Sequence, residues 1–259
     1  MTQGQERIAA IGERLWEAQE KRRPCRAPSQ DFPELNVREA YEIQAQLIQR
    51  RKSLQVGRKI GLTSPAIQQW LKVTEPDFGV LLSDMMVMEG MVASTEGLLQ
   101  PRVEAEVAFV LKKDLRGPAV TAAQVIQATD FVLPALEIID SRIADWNIAF
   151  EDTIADNASS GLFVLGTHPT RLEEVDLRLA GMWMKKNGHV VSTGAGAACL
   201  GDPINAVVWL ANKLAAFDAY LQAGEVILSG ALGPVTEVKA GDRIRAEISG
   251  LGSVGVRFG

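Results

Sequence analysis

An α+β fold is predicted from three features of the sequence. Helical periodicity dominates the N-terminal part, short alternating or continuous apolar runs follow it, and antiparallel-type strands cluster in the last third. A regular strand–helix alternation is missing. With 259 residues and 47% hydrophobic content, the chain can bury a sizeable core. No linker poor in apolar residues forces a boundary, so a helical segment over residues 1–55 is expected to pack on a core over 56–259.

Ile8, Ile11, Leu15 and Trp16 recur at helical spacing, which predicts a helix over residues 2–21. Residues 22–33, rich in proline and charge, read as a loop. Asn36 with Glu39 has the form of a capping box, and Ala40, Ile43, Leu47 and Ile48 extend the helix to about Lys52. Residues 56–62 read as a short strand. Ser64-Pro65 opens a helix that ends before Pro76. Asp77-Phe78-Gly79 reads as a turn into Val80-Leu81-Leu82. Residues 100–111 alternate as a strand. Thr121 and Gln124 box a helix to about Ala128. Residues 131–139 form a nearly continuous apolar strand, with Pro134 pointing to an edge or a bulge. Residues 152–160 are polar and turn-like, and 161–166 form a strand. Asn187-Gly188 marks a hairpin between 179–185 and 189–192. Asp202-Pro203 starts a helix to about Ala216, and strands follow at 225–229, 243–249 and 253–258.

The formal net charge of −5, without a basic run, argues against nucleic acid as the main partner. The first seven residues lack a secretory signal pattern, and no apolar stretch approaches the ~20 residues of a membrane span. A cytoplasmic protein is expected. Two distant cysteines, Cys25 and Cys199, disfavour a disulfide framework or thiolate cluster. The histidines are only His168 and His189, so a metal site would be built mainly of oxygen ligands.

On the strand 100–111, Val103, Ala105, Val107 and Phe109 fall on one face and Glu104 and Glu106 on the other. Two residues advance a strand by roughly 7 Å, so both carboxylates lean toward one small volume. Two such glutamates more often face solvent. Glu137, between Leu136 and Ile138, alters the balance, because a buried unpaired carboxylate is expensive. It needs a cation, a hydrogen-bond network or exposure at the strand end; a metal and an ion pair with Arg142 or Arg102 both stay open. Three carboxylates with few histidines favour Mg²⁺ or Mn²⁺ over softer ions. Lys59 lies between Gly57 and Gly61, at a site lip or simply on the surface. Asp77 could cap its turn, and Asp156, Asn157 and Ser159 could satisfy a loop backbone. The segments 192–197 and 228–234 are anion cradles or turns. No G-x-S-x-G and no Cys/His pair supports nucleophilic hydrolysis.

Eight motifs stand together in one order: G-R-K-I-G-L-T-S (57–64), E-P-D-F-G (75–79), Q-P-R-V-E-A-E-V-A-F-V-L (100–111), P-A-L-E-I-I-D-S-R-I-A-D-W (134–146), D-T-I-A-D-N-A-S-S-G (152–161), S-T-G-A-G-A-A-C-L-G (192–201), W-L-A-N-K-L (209–214) and L-S-G-A-L-G-P (228–234). From about Asn36 onward the chain resembles the 2-hydroxypenta-2,4-dienoate hydratases of the fumarylacetoacetate hydrolase superfamily. The resemblance implies that superfamily's mixed β-sheet core, rolled or sandwiched, as the catalytic domain over 56–259. It implies Mg²⁺ or Mn²⁺ on Glu104, Glu106 and Glu137, proton transfer or electrostatic work by Lys59, water or proton handling by Asp77, and a hydrogen bond from Ser159. It places substrate at Ser229, Gly230 and Ala231. The reaction implied adds water to a 2-hydroxydienoate, giving a 4-hydroxy-2-oxo acid in the meta-cleavage branch of aromatic catabolism. It also implies a homo-oligomer that can associate with another pathway enzyme. The sister 4-oxalocrotonate decarboxylases carry the same ligands, but residues 76–79 and 143–146 are similar to the hydratase form. A C–C hydrolase of the superfamily lacks a histidine base here, and an inactive scaffold beside an active homologue is the reading of another class.

Overall fold

The computed structural model describes residues 3–259, without the side chains of Trp70 and Leu71. The expected helix start at Thr2 lies outside the described residues. Three helices come first: α1 (Gln3–Glu20), α2 (Pro28–Asp31) and α3 (Val37–Arg51). The short α2 interrupts the expected 22–33 loop. The Asn36–Glu39 capping box of α3 forms as predicted, with Glu39 N–H donating to Asn36 Oδ1 at 3.1 Å. Arg7 joins α1 to α3 through Glu39.

The core then runs β1 (Gln55–Gly61), α4 (Pro65–Leu71), β2 (Asp77–Leu82), β3 (Met86–Met88), β4 (Val92–Ala93) and β5 (Arg102–Leu111). It continues with α5 (Ala122–Ala128), β6 (Thr129–Ile139), α6 (Phe150–Ala155), β7 (Ser160–Leu165), β8 (Gly181–Lys186), β9 (His189–Ala195) and α7 (Pro203–Leu214). Four short strands close the chain: β10 (Val226–Leu228), β11 (Thr236–Glu237), β12 (Arg243–Ile248) and β13 (Gly252–Phe258). Among the described residues the strands form an eight-stranded sheet, ordered β2-β1-β10-β5-β6-β7-β3 with β11 on β5, and a five-stranded sheet, β4-β13-β12-β8-β9. Most pairings are antiparallel; β1–β10, β3–β7 and β4–β13 are parallel. No helix among the described residues is long and apolar enough to cross a membrane.

Four local expectations are corrected. Asp77 opens strand β2 rather than a turn, paired with Gly61. Pro134 lies inside β6, a central strand, with no bulge at that position. Its carbonyl accepts Gly166 N–H at 2.8 Å, so its ring nitrogen faces the side where β7 has already ended, and no donor is lost against β5. Residues 150–155 are helical, and Asn157, Ala158 and Ser159 then take φ of 56, 49 and 52° in succession. Left-handed residues usually occur singly. Here the Asn157 amide holds the turn by pairing with Val80 N–H and C=O at 2.8 and 3.0 Å. Ser64 precedes α4 but makes no side-chain cap.

The large sheet has unlike faces. Val103, Ala105, Val107, Phe109, Leu136 and Ile138 point into the main core. The alternate residues of the same strands point the other way. Ala108, Leu133, Ala135, Phe163 and Leu228 form a second apolar cluster on that face. The ladder registers put Lys59, Gly61, Asp77, Glu104, Glu106 and Glu137 on that face too.

Candidate active site

Glu104 and Glu137 sit directly opposite each other in the β5–β6 ladder, and Glu106 is the next residue on that face. One carboxylate oxygen from each lies within 4.8 Å of the others. Glu106 and Glu137 are fully buried, and Glu104 is half-buried at the edge of the group. Lys59 Nζ is 3.2 Å from Glu137 Oε1, close enough for an ion pair but not aligned as a hydrogen bond. The sequence pointed to Arg142 or Arg102 as ion-pair partners for Glu137. Instead Arg142 pairs with Asp156, and Arg102 pairs with Glu237.

The electrostatics follow from burial. Desolvation raises the pKa of Glu104, Glu106 and Glu137, the last to about 7, against the pull of Lys59. Burial also works against the Lys59 ammonium, but Glu137, Asp77, Glu104 and Glu106 together hold its pKa above the ordinary lysine value. Asp77 is raised by burial as well. The group is acid-rich and short of partners: Glu106 Oε1, both Glu137 oxygens and Asp77 Oδ1 are buried without a hydrogen bond. Such a set of convergent hard oxygen donors fits a divalent cation, which would neutralise what one lysine does not.

The glycine-rich segment after β10 reaches the same place. Gly230 N–H donates to Glu106 Oε2 at 2.7 Å. Gly230 takes φ +110°, and a Cβ there would meet Thr63 Oγ1 at 2.3 Å. Ser229 Oγ is buried and unpartnered beside it. The family pattern described as fumarylacetoacetate (FAA) hydrolase C-terminal matches residues 54–258, well over half of the chain.

The chain belongs to the fumarylacetoacetate hydrolase family. Within that family it is 53% identical to a 2-keto-4-pentenoate hydratase of Paraburkholderia xenovorans, over 94% of this chain and 92% of that protein. It is 45% identical to a 2-hydroxyhexa-2,4-dienoate hydratase of Comamonas testosteroni, over 97% of both. A solved structure of 4-oxalocrotonate decarboxylase from Pseudomonas putida, complexed with magnesium and adipate, superimposes with TM-score 0.95 at 39% identity, covering 100% of this chain and 98% of that one. The mixed α+β architecture is thus that of the fumarylacetoacetate hydrolase family.

Not every residue singled out from sequence joins the glutamates. Ser159 Oγ bonds to Asp156 Oδ2 at 3.5 Å, in the neighbouring Arg142 cluster. His168 and His189 are exposed. A cleft of about 520 Å³ lies between α1, α3 and the sheet, lined by Trp16, Ile48, Arg142 and Asp156, and does not reach the glutamates. It offers apolar walls over an ion pair that is already bonded. Thr153 and Gln44 are not among the residues the sequence singles out, whereas Gly61 is. Gly61 was visible as a glycine two residues from Lys59, whereas Thr153 and Gln44 carry no local signal.

Proposed function

We propose that the chain is a divalent-metal-dependent hydro-lyase that adds water to 2-hydroxypenta-2,4-dienoate, giving 4-hydroxy-2-oxopentanoate in meta-cleavage aromatic catabolism. The observation that carries this reading is the convergent glutamate trio, with Glu106 and Glu137 buried and carrying unpartnered oxygens, facing Lys59 and Asp77. The hydratases at 53% and 45% identity support the reaction. Glu104, Glu106 and Glu137 hold the ion, Mg²⁺ or Mn²⁺, as oxygen-only donors favour. When bound, it supplies Lewis-acid polarisation of the substrate's carboxylate and 2-oxygen.

The chain's own residues do the rest. Lys59 keeps its ammonium because four carboxylates face it, and it stabilises negative charge as that grows on the substrate's 2-oxygen. Asp77 Oδ1, buried and unpartnered, handles the proton of the attacking water or of the terminal carbon. Its raised pKa suits both taking and returning a proton. Gly230 N–H aims Glu106, and Ser229 and Ala231 beside it bind substrate, Ser229 with its free hydroxyl.

The enzyme works as a homo-oligomer able to associate with another pathway enzyme. Exposed Met86, Met88, Met91 and Val92, on and between two edge strands, support a contact between copies. Decarboxylation of 4-oxalocrotonate is the second reading, favoured by the TM-score of 0.95 to that decarboxylase. One ultraviolet assay separates them. Both substrates are supplied in parallel, with and without EDTA. The hydratase reading expects metal-dependent loss of the dienoate chromophore and little loss of oxalocrotonate. The reverse preference contradicts it, and no turnover of either leaves the scaffold reading.

A further inference from the structure

The two carboxylate oxygens of Asp77 have different surroundings. Oδ2 accepts a hydrogen bond from Thr153 Oγ1, on α6, at 3.2 Å. Oδ1 is buried and has no partner. It lies over Gly61, where an added Cβ would come within 2.2 Å of Oδ1 and 3.5 Å of Lys59 Nζ. Gly61 does not take a positive φ, so backbone freedom does not explain a glycine there. Close approach does: any side chain at this position would push Asp77 Oδ1 out of the space beside Lys59.

Strand β2 and helix α6 are held in this relation by one buried amide on α3. Gln44 Nε2 donates to Phe78 O at 3.0 Å and to Ile154 O at 2.9 Å. Phe78 follows Asp77, and Ile154 follows Thr153. Both hydrogens of the amide are thereby used. One residue group earlier on α3, Tyr41 stacks on the Phe78 ring with centroids 4.3 Å apart. The N-terminal helical layer therefore reaches into the site's geometry.

We infer that Thr153 and Gln44 are positioning residues for the hydration, holding Asp77 by Oδ2 so that Oδ1 faces the reacting atoms. The inference rests on the proposal that Asp77 handles a proton. A hydroxyl that only satisfied a buried acid would change stability. A hydroxyl that aims the acid changes turnover, since a misplacement of about 1 Å can cost roughly 100-fold in rate.

The test uses the full chain with Mg²⁺ and 2-hydroxypenta-2,4-dienoate, comparing T153V, T153S, D77N and D77N/T153V. The Mg²⁺-induced rise in melting temperature is read alongside kcat and KM. T153V, nearly isosteric, is expected to lower kcat about 10- to 100-fold, with KM within about twofold and the Mg²⁺ shift unchanged. T153S restores the hydroxyl and should recover kcat to within about threefold of wild type. The double variant should be no slower than D77N alone, because Thr153 acts through Asp77. Should T153V fail to fold, Q44M is measured in its place, with the same kcat loss and unchanged Mg²⁺ shift expected. Wild-type kcat in T153V, or a loss that multiplies with that of D77N, overturns the positioning role alone. Full activity in D77N overturns the Asp77 assignment, and the positioning role with it.

Discussion

Two clusters of buried charge draw on β6 and on the residues just after it, and both contain acids that burial pushes upward in pKa. In the first, around Arg142 and Asp156, each charged atom has a partner. Arg142 Nε bonds Asp156 Oδ1, its Nη1 donates to Ser160 O at 2.9 Å, and its Nη2 donates to Asp156 O. Asp156 Oδ2 accepts from Ser141 Oγ at 3.2 Å and from Arg142 N at 3.1 Å. Nearby Asp140 accepts from Leu99 N and Gln100 N. In the second cluster Lys59 faces four carboxylates, and several of their oxygens have no partner. The direction of the pKa shifts does not distinguish the two. The hydrogen-bond accounting does: one cluster is finished as protein, and the other keeps buried acceptors that a bound cation would complete.

That contrast predicts opposite consequences for removing a charge. Glu106→Gln should lower hydratase turnover by more than the roughly 10- to 100-fold lost on changing a residue that merely supports a ligand. Without added metal its melting temperature should equal or exceed wild type, because a buried carboxylate with one unpartnered oxygen has been neutralised. Steady-state rates and thermal melts together check this, and an active E106Q breaks the comparison. Arg142→Leu should do the converse. Leaving Asp156 buried and unpaired should cost about 3–5 kcal/mol, read as a lowered urea midpoint. A small stability loss would mean that this cluster is not structural.

Gly230→Ala sharpens the comparison at the edge of the glutamate site. The positive φ and the Thr63 contact should together cost about 1–3 kcal/mol. The shift should move Gly230 N–H off Glu106, so Mg²⁺ stabilisation falls while urea stability drops only modestly. Equal Mg²⁺ stabilisation in G230A would show that Glu106 needs no such aim.

Each cluster also has a neighbouring thiol, which yields the smallest effect. Burial pushes Cys25, near Asp156, to about 11 and Cys199, near Glu106, to about 12. A raised thiol pKa means that thiolate appears only as pH rises toward those values. Alkylation by iodoacetamide should therefore be slow at pH 8 and accelerate with pH, first at the half-buried Cys25. Rapid labelling of Cys199 at pH 8 in the folded protein would show the glutamate site to be more open than described.

Much of this was legible in the chain, for local reasons. The capping boxes at Asn36 and Thr121 formed because their signals span three residues. The alternation of E-A-E placed two carboxylates on one face, and the apolar flanks of Glu137 marked it as costly. What escaped depends on pairing across long distances in the chain. The Glu104–Glu137 register, the choice of Lys59 over Arg142 as partner, and the Thr153–Asp77 contact are decided by the sheet and the helices laid on it. The left-handed run at 157–159 carries only a turn signal in its own residues, because its support comes from Val80, on another strand.

We propose that a divalent ion completes the glutamate trio. Calorimetric titration of Mg²⁺ into the metal-stripped chain, and into E106Q, tests it most directly. One saturable site per chain is expected in the wild type, and its loss in E106Q. Absence of binding in the wild type, or binding of equal strength in E106Q, would contradict it.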